Sequence, residues 1–118
     1  MLSEIHVAID CVDVDAQADF WVAALGYRRY GAAGQYRSLV PDGDTPLPKL
    51  VLQQVDDPPK AGKNKLHLDL IVGDGIEAEA ERIVALGATQ LSDTIDEAGT
   101  RWIVMADPEG NEFCLCVR

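Results

Sequence analysis

The chain has 118 residues, 47% of them apolar and 25% charged, with a formal net charge of −10. This is the composition of an ordinary globular protein, either one domain or two half-size modules sharing a core. The acidic excess argues against nucleic acid and anionic membrane as partners, because both reward Lys and Arg. No run approaches the roughly 18 apolar residues of a membrane span.

In chain order, Ile5 to Cys11 reads as a β-strand. Asp13 to Ala24 follows as a helix, with Asp13 as N-cap, an apolar stripe through Phe20, Trp21 and Ala24, and Gly26 at a left-handed C-terminal cap. Tyr27–Tyr30 and Tyr36–Val40 are short strands separated by a Gly/Ala loop, Gly31 to Gly34. A Pro/Gly/Asp loop, Pro41 to Pro48, precedes the strand Lys49–Val55. Asp56 to Asn64 has the composition of a linker, placing one module at about 1–56, the linker at about 57–64 and a second module at about 65–118. Leu66–Val72 is again a strand. Asp74 caps a helix running to about Ala85, and Gly87 ends it. Thr89–Ile95 is a weak strand, Asp96–Gly99 a turn and Arg101–Ala106 a strand. Asp107–Gly110 is a turn and Glu112–Val117 the last strand.

The order βαβββ thus occurs twice, and the two copies are offset by 61 residues. The offset carries His6 onto His67, Asp13 onto Asp74 and Ala24-Leu25-Gly26 onto Ala85-Leu86-Gly87. It also carries Gln53 onto Cys114. An internal repeat fixes the architecture before any single residue does. The fold class expected is therefore α+β, with two βαβββ modules whose curved mixed sheets surround a shared cleft.

Strand side chains alternate between faces. One face of each sheet is nearly pure apolar and suits packing against a helix. The other face carries His6, Asp10, Gln53, His67, Asp69, Glu112 and Cys114. So many polar groups make a poor dry core, and a ligand-holding cup is expected there. The two symmetric histidines can serve as metal ligands, acids or bases. Asp69 beside His67 and Asp10 near His6 form carboxylate–imidazole pairs suited to general base work. Asp69 and Glu112 are the catalytic candidates. Asp10, Arg37 and Trp102 are the candidate pocket residues, Arg37 as an anchor for an anionic group. Cys11, Cys114 and Cys116 are an odd number, no basic-then-apolar leader opens the chain, and a reduced, cytoplasmic setting is expected. No Gly-rich phosphate loop occurs.

The paired modules, the opening HVAIDCVDVDAQADFWVAALGY, the KNKLHLDLIVGD after the linker and the closing DPEGNEFCLC resemble the vicinal oxygen chelate superfamily. Within it the chain is most similar to glyoxalase-like (glyoxalase/bleomycin resistance/dioxygenase-type) domain proteins. The resemblance spans essentially the whole chain and implies a homodimer that binds a small organic molecule. In metal-dependent members, each module supplies one ligand from its first and one from its last strand. Here those positions are His6, Gln53, His67 and Cys114, with Glu112 as an alternative fourth ligand. The family's usual carboxylates are thus replaced by an amide and a thiol. A single divalent ion (Zn, Ni, Mn or Fe) in a lyase or isomerase is one implication. The other is a non-catalytic, resistance-type drug binder without metal, its cup lined by Trp102, Tyr36 and Tyr30.

Overall fold

A computed structural model describes residues 4–57, 66–97 and 99–117. The chain forms two compact units, Met1–Pro59 and Lys60–Arg118. The expected linker lies, from residue 58 on, outside the described residues.

The first unit runs β1 (His6–Cys11), α1 (Val14–Leu25), β2 (Tyr27–Ala33), β3 (Tyr36–Pro41) and β4 (Lys49–Gln54). Its sheet has the order β1-β4-β3-β2, with β1 and β4 parallel and the other pairs antiparallel. Helix α1 starts where the Asp13 side chain accepts a hydrogen bond from the Ala16 amide at 3.1 Å. It ends at Gly26, whose amide still donates to the Val22 carbonyl and whose φ of 71° turns the following chain out of the helix. Val14, Ala18 and Trp21 on α1, with Leu39, Leu50 and Leu52 on the sheet, are buried. The Gly/Ala loop expected at Gly31–Gly34 is instead the end of β2. The strand continues through Gly31 to Ala33 and turns at Gly34, with a register shift between Arg29 and Gly31. Gly31 fits there because a Cβ would lie 3.0 Å from the Ser38 hydroxyl oxygen.

Helix α1 is also tied to the sheet by charge. Asp15 accepts from the Arg37 Nε at 3.0 Å and from Arg29 at 3.2 Å, and Asp19 accepts from Arg29 at 2.8 Å. The hydrogen bonds from Arg37, then from Arg29, hold the Asp15 carboxyl below its ordinary value of 3.8. A depressed folded value means that the contribution is present above the unfolded value and is lost as pH falls through the folded one. Asp15→Asn is therefore expected to flatten the loss of stability below about pH 4, measured by urea unfolding from pH 7 down to pH 2.

The second unit runs β5 (Leu68–Ile71), α2 (Ile76–Ala85), β6 (Thr89–Gln90), β7 (Ile95–Glu97), β8 (Thr100–Ala106) and β9 (Glu112–Val117). Its sheet has the order β5-β9-β8-β6, with β7 also paired to β8 and β5 parallel to β9. Three expectations change here: Asp96 and Glu97, expected in a turn, are part of β7, and the other two concern Asp74 and Thr89–Ile95. Asp74 does not cap α2: the N-cap is Gly75, at φ 83°, with no side-chain hydrogen bond. The chain turns into the helix through a left-handed residue that only glycine adopts cheaply. The expected strand Thr89–Ile95 is two short strands, because the Ser92 hydroxyl takes the Val104 amide and interrupts the ladder. Ile76, Ala80 and Ile83 of α2 are buried, as are Ile103, Met105, Phe113 and Leu115 of the sheet. The turn after β8 is organised by buried Asp107, which accepts from the Glu109 and Asn111 amides and the Asn111 side chain. The chain is thus α+β, one helix on one mixed sheet in each unit.

Candidate functional site

In both units the face turned away from the helix carries the chemistry. In the second unit, the parallel pairing sets Asp69 opposite Cys114 and Ile71 opposite Cys116. On the other side of β9, Cys114 faces Val104, Cys116 faces Trp102 and Glu112 faces Ala106. Paired residues point to the same side of a sheet. One face therefore holds Asp69, Ile71, Glu112, Cys114, Cys116, Trp102 and Val104, and His67 stands two residues before Asp69 on the same side.

Three of these converge. One donor atom each from His67, Asp69 and Cys114 all lie within 4.8 Å of one another. The His67 Nε2 is 3.1 Å from the Asp69 Oδ1. Bonds of about 2.0–2.2 Å to nitrogen or oxygen and about 2.3 Å to sulfur put tetrahedral ligand atoms roughly 3.4–3.7 Å apart. On the same face, the Glu112 Oε2 is buried and has no hydrogen-bond partner among the described residues. Continuing the β5–β9 register by one residue sets Glu112 beside His67. The converging imidazole, carboxylate and thiol are a donor set that fits a divalent ion.

The first unit does not repeat this arrangement. Its parallel register sets His6 opposite Lys49, Ala8 opposite Val51 and Asp10 opposite Gln53. Gln53 is thus four residues along from the position facing His6. At about 3.3 Å per residue this is roughly 13 Å, too far for both to hold one ion. Register, not the 61-residue offset, defines equivalence here: Cys114 faces Asp69 as Val51 faces Ala8. By register the residue equivalent to Cys114 is therefore Val51, whose side chain has no donor atom, and Gln53 corresponds to Cys116. The register equivalence differs from the sequence offset because β4 pairs two residues out of step with β9. His6 itself has its Nε2 3.0 Å from the Glu4 carboxylate.

Other candidates are placed as follows. Asp10 is exposed and shares the open face of its sheet with Gln53. Arg37 does not: it pairs with Leu52 and points to the helix side. There it binds Asp15 and the carbonyls of Gly34 and Tyr36, so a helix carboxylate takes the guanidinium proposed for a substrate anion. Arg101 is likewise held by Glu77 at 2.8 Å. Trp102 is on the open face of the second unit, between Cys116 and Ile95. Asp69, read from sequence as an acid–base residue, is also a ligand candidate. The signal was the His-x-Asp spacing on one strand, which puts both donors on one face.

A family profile described as the glyoxalase-like domain matches residues 6–116. No curated protein sequence matches. Among solved structures, the fosfomycin resistance protein FosX from Listeria monocytogenes is 16% identical, covers 100% of this chain and 95% of its own, and superposes with a TM-score of 0.80. A glyoxalase/bleomycin resistance protein/dioxygenase family enzyme from Burkholderia phytofirmans is 19% identical, with 95% of each chain covered and a TM-score of 0.79. A variant of the Listeria FosX, complexed with Mn(II) and 1S,2S-dihydroxypropylphosphonic acid, is 17% identical, with 98% of this chain and 90% of that one covered and a TM-score of 0.78. These likenesses are to the fold.

Proposed function

Because the chain belongs to the glyoxalase-like domain family of the vicinal oxygen chelate superfamily, we propose that it binds a small organic molecule at the open face of the second unit's sheet and acts there as a divalent-metal-dependent lyase or isomerase. The observation that carries this reading is the convergence of His67, Asp69 and Cys114. A divalent ion on these residues would polarise a carbonyl or stabilise a developing oxyanion as a Lewis acid. Three protein ligands leave a coordination position for a substrate oxygen. Glu112 then holds or moves the substrate proton, since its Oε2 is buried on the same face and unpartnered among the described residues. Trp102 supplies an apolar wall on the same face.

The protein is placed in a reducing cytoplasm, supported by its three buried thiols, Cys11, Cys114 and Cys116. Homodimerisation is supported by exposed apolar side chains, among them Ile5, Leu66 and Ile71. A second reading, a binder that catalyses nothing, is favoured by Val51, which leaves the first unit without a donor at its equivalent position.

A thermal-shift screen separates the two readings. Zinc-loaded and metal-free protein are each screened against small molecules with adjacent oxygen atoms and against cationic aromatic natural products. Stabilisation by an oxygen-rich compound only after loading supports the metal-dependent reading. Equal stabilisation of both forms by the same compound supports the binder.

A further inference from the structure

We propose that His67, Asp69 and Cys114 form a thiolate-bearing metal site selective for zinc-class ions over manganese. The proposal rests on the metal reading above and names the ion that this donor set chooses. Two features of the fold create the set. The parallel register places Asp69 directly against Cys114, and the two-residue step back to His67 keeps the imidazole on the same face. The donor atoms then lie within 4.8 Å of one another. The same register positions in the first unit are His6, Ala8 and Val51. Two of those three have no side-chain donor atom, so the first unit does not repeat this donor set among the described residues.

Selectivity follows from the donors. A carboxylate and an imidazole accept most divalent ions, but a thiolate sulfur favours zinc, cobalt and other softer ions over manganese, which prefers oxygen ligands. Cys114 is buried, with 8% of its surface exposed, so little water competes with the sulfur for the ion. Cys116 lies on the same face, two residues further along β9 and opposite Ile71. It is outside the converging group and serves as an internal control. Glu112 does not join the converging group either. The thiol, and not the carboxylate, is therefore the β9 ligand.

The test uses the full chain, stripped of metal and titrated with CoCl2, ZnCl2 and MnCl2 in turn, with absorption spectroscopy and a competing chromophoric chelator. The expected result is a sulfur-to-cobalt charge-transfer band in the near ultraviolet. Zinc abolishes the band and manganese does not. Cys114→Ser removes the band, Cys116→Ser keeps it, and Asp69→Asn weakens cobalt binding at least tenfold. Cys114→Glu removes the band and shifts preference toward manganese at least tenfold. Circular dichroism establishes that each variant is folded, and the wild-type spectrum is informative without any variant. Cobalt bound without the band, a band insensitive to Cys114→Ser, or manganese bound as tightly as zinc would overturn the thiolate site while leaving a metal-dependent protein. Failure to bind any of the three ions overturns both.

Discussion

Replacing His67 with alanine lowers zinc affinity on the order of a hundredfold or more, while His6→Ala changes it less than tenfold. The first figure follows from ligand loss, because structural zinc sites draw about 10–16 kcal/mol from four ligands, a few kcal/mol each. The second follows from surroundings. His67 has Asp69 at 3.1 Å and Cys114 within the same group. His6 has Ala8 and Val51 at the matching register positions, and its Nε2 contacts Glu4. Isothermal titration of zinc into metal-free wild type and both variants measures this directly. Equal losses in the two variants would mean that the histidines act as a symmetric pair, as their 61-residue spacing first suggests.

Truncating Trp21 has the largest expected effect on stability. Trp21 is 1% exposed in α1, and its ring meets that of Phe20 edge to face at 5.0 Å between centroids. Removing a buried tryptophan side chain costs about 3–5 kcal/mol, the lost transfer energy plus the cavity left behind. For a chain of this size that is a fall in Tm of roughly 10 °C or more. Thermal and urea unfolding of Trp21→Ala check it. A shift under about 1 kcal/mol would mean that α1 repacks around the gap.

The sequence was most legible where one local rule acted alone. Alternation in β1, β4 and β5 identified the more buried faces, because a half-buried strand must alternate, whereas β9 is buried on both faces. Asp13 and Gly26 marked the ends of α1 because both act within one turn of the helix. Legibility failed where pairing between distant strands decided the outcome. Nothing local in Lys49–Gln54 states that β4 pairs with β1 two residues out of step with the β5–β9 pair. That shift makes Val51, and not Gln53, the register equivalent of Cys114. The ion pair of Arg37 was hidden for a related reason. Its partner Asp15 is 22 residues away on the helix, and only the folded unit brings them together. Asp69 was identified as a functional candidate, but its role depended on which β9 residue stood opposite. The candidate residues were therefore visible in the sequence, and the lack of matching donors at the first unit's register positions was not.

The most direct measurement is anomalous diffraction from crystals of the zinc-loaded full chain, collected on both sides of the zinc absorption edge. The account predicts one strong peak per chain, bonded to the His67 Nε2, an Asp69 carboxylate oxygen and the Cys114 Sγ at about 2.0–2.3 Å. A peak ligated by Gln53, or by Glu112 in place of Cys114, or no ordered peak at the second unit's open face, would contradict it.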